Sequence, residues 1–171
     1  MRKKKGFSLI ELLIVVAIIL VIAAIAIPNL LRARMAANDS SAAGSIHAIN
    51  VAEAGYFASY ETVGFPLNLT PLGGAEPCSP GIATACLIDN VLATNGGGGG
   101  KSGYSFAATG SASAGSSTND QFYATATPNS NLTGTRAYCS IDDMVVRLQP
   151  AGNVSQVASY AACQTLTAMN N

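Results

Sequence analysis

From Phe7 to Ile27 the chain runs 21 residues, of which only Ser8 and Glu11 are polar. As a helix rising 1.5 Å per residue this stretch would be about 32 Å long, close to the roughly 30 Å hydrocarbon core of a bilayer. Met1-Arg2-Lys3-Lys4-Lys5 precede it, and Pro28 follows. The position of these basic residues predicts that the N-terminal end faces the cytoplasm. One carboxylate, Glu11, stands just inside the start of the apolar run. An acidic side chain in such a span is costly, so it marks a functional position that calls for a cationic partner.

A short basic leader ending in Gly6, followed by Phe7-Ser8-Leu9-Ile10-Glu11-Leu12-Leu13, resembles the N-terminus of type IV pilins and the related pseudopilins. Pro28 also matches a proline of that family. The resemblance implies that a prepilin peptidase cuts between Gly6 and Phe7 and methylates the new terminus on Phe7. It implies that the apolar helix becomes a filament core, and that Glu11 meets the Phe7 amine of a neighbouring subunit. Phe7 and Glu11 are also i, i+4 neighbours on one helix, so the pair can equally form within one subunit. A lone ion pair in an apolar surround is better attested as a register device than as net stabilisation.

Two other readings use the same residues. A basic segment followed by an apolar run is also the pattern of an ordinary secretory signal, and Ala24-Ile25-Ala26 supplies a small-x-small cut that would leave Ile27 as the terminus. An uncleaved membrane anchor is the other. Glu11 is out of place at the head of a signal's apolar region, and the helical pattern continues past Ile27.

Over 171 residues, charged residues make up 11 % and tryptophan is absent. Removing residues 1–6 takes away four of nine basic residues and none of nine acidic ones, leaving −4 before termini. No basic stripe indicates sequence-specific nucleic-acid binding. The four cysteines, Cys78, Cys86, Cys139 and Cys163, all lie on the exported side of the apolar segment. An even count there reads as two disulfides with three possible connectivities. Cys78–Cys86 with Cys139–Cys163 is favoured because each closes a local loop, and the second also matches the C-terminal loop of many pilins. Loop-closure entropy puts the two at about 2.5 and about 3.5 kcal/mol. No Cys-x-x-Cys spacing is present and the single histidine, His47, is far from the cysteines, so neither a metal nor a cofactor is expected.

In chain order, residues 1–6 read as a leader peptide, and 7–60 as one long helix with 7–27 its membrane or filament-core part. Residues 61–102 read as a connecting region, 103–149 as an antiparallel sheet, and 150–171 as a C-terminal tail closed by Cys163. Pro28 removes a backbone donor and is expected to kink or loosen the helix. Beyond it Ile46, Ile49, Glu53, Tyr56 and Tyr60 recur at three- or four-residue spacing, one face of a helix packed on the sheet. A helix of 54 residues would be roughly 80 Å long, more than a small domain can cover, so its N-terminal half needs a bilayer or copies of itself. A short helix is expected over Ala85–Ala93. Asn95 and the five glycines after it read as a flexible turn, because no Gly-Lys-Ser/Thr helix follows in the register a phosphate loop needs. Strands are expected at Tyr104–Phe106, Gln121–Thr127, Arg136–Ser140 and Met144–Leu148, a four-stranded antiparallel meander. The segments Lys101–Tyr104, Gly134–Cys139 and Val145–Arg147 resemble, more weakly, the strand region of soil-bacterial major pilins.

The fold class expected is therefore α+β, a long N-terminal helix with its C-terminal half packed on a four-stranded antiparallel sheet. Asp142-Asp143 lacks the ligand count a calcium site needs. No catalytic constellation assembles around His47, so no enzyme is expected. The resemblance implies a pilus subunit that rests in the inner membrane, is handled by pilus assembly machinery, and polymerises with itself into a surface fibre. Adhesion, twitching motility and DNA uptake are the roles such a fibre serves. A type II secretion pseudopilin is the nearest alternative, and a monomeric exported binding domain is the alternative of another class.

Overall fold

The computed structural model describes residues 6–169. The basic part of the expected leader, residues 1–5, and the last two residues of the tail lie outside the described residues. The chain divides into two compact units, one ending at Arg34 and one starting at Met35. Helix α1 (Leu9–Ser59) supplies the first unit from Leu9 onward and the opening of the second.

In the first unit every large apolar side chain from Phe7 to Leu31 is exposed. Among the described residues α1 is the one helix long and apolar enough to cross a membrane. Pro28 lies inside α1, where it leaves the Ala24 carbonyl without the N–H that a non-proline residue would offer.

In the second unit α1 becomes amphipathic, and Ala42, Ile46, Ile49, Ala52 and Tyr56 are buried along one face. They join a core with Leu72, Leu92, Phe106 and Phe122. Each large side chain taken out of water contributes roughly 1.5–3 kcal/mol. The sheet consists of β1 (Tyr104–Ser111), β2 (Gln121–Pro128), β3 (Tyr138–Ile141), β4 (Arg147–Leu148) and β5 (Thr167–Ala168), in that spatial order and antiparallel throughout. In β1, Tyr104, Phe106, Ala108 and Gly110 point inward. Ala108 stands opposite Ala124 and Phe106 opposite Ala126. These small partners leave room for the aromatic rings. Phe65 bridges Phe57 and Phe122, with ring centroids 4.7 and 4.8 Å away. Tyr56 is buried in the same core beside Tyr60, so it is a helix–sheet packing residue.

The sheet thus has five strands where the sequence predicts four. The fifth comes from the tail. Ser159 caps α3 (Tyr160–Gln164), whose Cys163 is bonded to Cys139 of β3. That link brings Thr167 and Ala168 back beside Leu148 and Arg147, and the Met169 N–H donates to the Val146 carbonyl at 2.8 Å. A strand of two exposed residues has too short a period to be read from sequence.

Other boundaries move for local reasons. The helix expected over Ala85–Ala93 shrinks to α2 (Asn90–Ala93), capped by Asp89, whose Oδ1 accepts from Leu92 N–H at 2.9 Å. The amides of Ala85, Leu87 and Ile88 are used instead on the carbonyls of Pro71 and Leu72, and Cys86 has φ 58°. The strand expected from Met144 starts only at Arg147. Met144 has φ 62°, and the Asp143 side chain accepts from Val145 N–H at 3.0 Å, a local turn that displaces the ladder. Beyond the end of α1 at Ser59, Gly64 takes φ 79°. A Cβ there would lie 2.2 Å from the Asn119 carbonyl oxygen, so the close pairing of Phe65 with Asn119 requires glycine.

Cys78 is bonded to Cys86 across 8 residues and Cys139 to Cys163 across 24. Removal of Cys139–Cys163 by paired Cys→Ser substitution should lower unfolding free energy by about 3.5 kcal/mol, against about 2.5 for Cys78–Cys86. Denaturant titration of the two double variants checks the order.

Candidate functional site

Gly6 and Phe7 stand exposed ahead of α1, and among the described residues nothing lies within 4 Å of where a Gly6 Cβ would be. Ser8 follows as the residue before the first helical turn, and its N–H donates to Glu11 Oε2 at 2.9 Å. Ser8-Leu9-Ile10-Glu11 is thus a capping-box sequence, in which a glutamate in the third helical position returns to the N-cap amide. That signal stands in the sequence, but attention to Glu11 as a charge in an apolar span passes over it. Neither of the two ion pairs among the described residues, Lys101–Asp89 and Arg147–Asp143, involves Glu11. In the uncut chain the Phe7 nitrogen is an amide and carries no charge for Glu11 to meet.

Three polar clusters in the second unit are less legible from sequence. Asp39 on α1 receives Thr135 N–H at 3.0 Å and the Thr135 hydroxyl. The buried Tyr104 hydroxyl lies 2.5 Å from Asp39 Oδ1 and 2.9 Å from the Arg136 carbonyl, two acceptors for one proton. Burial first, then the Asp39 carboxylate, pushes the Tyr104 phenol well above its usual range. Gly134 makes this packing possible, since a Cβ there would lie 2.2 Å from the Tyr104 hydroxyl oxygen.

The second cluster is Asp142-Asp143. The Tyr160 hydroxyl donates to Asp142 Oδ1 at 2.5 Å, while Arg147 donates to both oxygens of Asp143. The bond to Asp142, with burial, pushes Tyr160 up to about 12. Arg147 holds Asp143 below the usual carboxylate range. The two carboxylates are spent on different protein partners, and no group of three metal-ligating side chains gathers among the described residues. The third is the buried pair Asn50 and Glu53 on α1.

His47 is exposed on α1 and borders a shallow groove of about 570 Å³ with Asp39, Tyr138 and Met144. It makes no side-chain hydrogen bond among the described residues. The structure therefore brings Phe7, Ser8 and Glu11 together at one helix end, and keeps the cysteines and His47 in separate structural roles.

Residues 1–27 match the family described as the prokaryotic N-terminal methylation motif. The chain is 68 % identical over 40 residues to the type IV wide pilus major component PilA4 of Thermus thermophilus. It is 43 % identical over 56 residues to the type IV major pilin protein PilA of Myxococcus xanthus. These matches cover 23 % and 33 % of this chain, and only 30 % and 26 % of the two relatives' own lengths. No solved structure matches the chain. The motif and the relatives together support a type IV pilin, with the α+β architecture of a long N-terminal helix followed by an antiparallel sheet.

Asp39→Ala should destabilise the second unit by about 2 kcal/mol, because it removes the acceptor of the Thr135 N–H and hydroxyl and one of the two acceptors of the buried Tyr104 hydroxyl. Thermal unfolding followed by near-ultraviolet circular dichroism of the tyrosines checks this.

Proposed function

We propose that this chain is a prepilin, the precursor of a structural subunit that polymerises into a type IV pilus. The observation that carries the reading is the methylation motif set at the start of a helix along which every large apolar side chain up to Leu31 is exposed. Such a surface is compatible with water only when a bilayer or other copies of the helix cover it. Cleavage after Gly6 creates an α-ammonium on Phe7, and methylation keeps that charge. The subunit waits in the inner membrane through 7–27, with its N-terminus cytoplasmic. It is then drawn by pilus assembly machinery into a fibre at the cell surface. Adhesion, twitching motility and DNA uptake are the roles open to such a fibre. The reading assigns no catalytic role to the chain.

The first experiment is the N-terminal residue and mass of the mature protein. A methylated Phe7 supports the prepilin route. An N-terminus at Ile27 removes the helix end that bears Glu11 and overturns it. Electron microscopy of the surface then separates a pilin, which makes long fibres, from a pseudopilin.

Glu11 has two jobs in this reading, a cap within one chain and a counter-charge between chains, and they can be separated. Glu11→Gln keeps a capping-box side chain but no charge, whereas Glu11→Ala keeps neither. If charge sets the register, both variants enter the membrane and both lose fibres, scored by counting pili. Normal fibres from Glu11→Gln would sink the counter-charge role.

A further inference from the structure

The buried face of α1 is apolar except at Ser45, Asn50 and Glu53. Glu53 is fully buried at 0 % exposure, and neither of its oxygens has a hydrogen-bond partner among the described residues. Asn50, at 1 % exposure, donates from Nδ2 to the Met144 carbonyl at 3.0 Å, but its Oδ1 is also without a partner. Residues three apart on a helix are surface neighbours. Three orphaned acceptor atoms thus sit within one turn. An ionised carboxylate can only accept, so as an anion Glu53 satisfies none of them. A protonated carboxyl supplies the one donor the cluster lacks.

We propose that Glu53 is a proton-dependent latch. Its carboxyl stays protonated and donates to Asn50 Oδ1. Through Asn50 Nδ2 and Met144 the pair ties α1 to the turn between β3 and β4. When the proton leaves, a buried anion and an orphaned amide oxygen remain, and the packing of α1 on the sheet loosens. This inference concerns the second unit alone and does not rest on the pilin reading.

The electrostatic surroundings agree. Burial raises Glu53 from 4.5 to about 8, and burial is the cause. On α1 the titratable neighbour is Tyr56, whose hydroxyl donates to the Ile82 carbonyl at 2.8 Å. Its own upward shift comes from burial, then Tyr60 and Glu53. On the sheet side Asp142 is engaged by Tyr160 and Asp143 by Arg147, and in the connecting region Asp89 is paired with Lys101. None of these contributes to the Glu53 shift.

The folded-state pKa lies above the unfolded one, so between the two the folded chain binds more protons. Stability is then full below 4.5 and is lost as pH rises through about 8. Asp89, Asp120 and Asp143 are shifted the other way, from 3.8, and act below this window.

The test uses the full chain in detergent micelles, unfolded by denaturant from pH 4.5 to beyond 8, as wild type and as Glu53→Gln. The wild-type midpoint should fall across the window and level off above it, while the Gln variant stays flat. A flat wild-type profile, or an equal slope in the variant, overturns the proposal. Infrared spectra are taken of the 13C-glutamate-labelled chain carrying Glu11→Gln, which removes the other carboxyl in an apolar setting and leaves the second unit unaltered. A protonated-carboxyl band at neutral pH that vanishes in alkali supports the latch, and its absence at neutral pH overturns it. In Asn50→Leu the band should move to the frequency of a free acid; an unmoved band refutes the pairing with Asn50.

Discussion

The structure depends on burial of one face of α1, from Ala42 to Tyr56, against the sheet. The remaining elements of the second unit have positions that serve this contact. Small residues at Ala108, Ala124 and Ala126 leave space for Phe106, Phe122 and Tyr56. Gly134 and Gly64 let the backbone come closer than any side chain would permit. Hydrophobic burial is non-directional, so by itself it would hold the helix on the sheet without setting its rotation or its height.

Directional contacts set both. Asp39 joins α1 to Tyr104 of β1 and to Thr135 ahead of β3, while Asn50, three turns on, reaches the turn between β3 and β4. Each contact fixes one polar atom of α1 against a partner on the sheet side. The disulfides act on a different quantity. Cys78–Cys86 and Cys139–Cys163 restrict the unfolded chain. The second also carries the tail back far enough to add β5.

Two carboxylates in this chain stand in apolar company, and their settings differ. Glu11 is at a helix end, where a backbone N–H is free to reach it and where the proposed cleavage would create a cation next to it. Glu53 is in the last two turns of α1, buried, and neither of its oxygens meets a donor among the described residues. Position along the helix, more than hydropathy, decides which kind of partner a buried acid can have.

The sequence alone determined the apolar segment and its lone Glu11, the motif around Gly6 and Phe7, the amphipathic face of α1, and the main strands β1, β2 and β3. Each rests on local periodicity or on an ordered run of residue types, which neighbours along the chain suffice to express. The Ser8–Glu11 cap was equally local and could have been read from its four-residue spacing. Only the tertiary structure decided the fifth strand, the shrinking of the helix at Asn90–Ala93, and the late start of β4. It also decided the Asp39 node, the separate fates of Asp142 and Asp143, and the isolation of Glu53. Those depend on which backbone groups and side chains meet across dozens of residues, and a carboxylate on a core-facing helical position reads the same in sequence whether or not a donor awaits it.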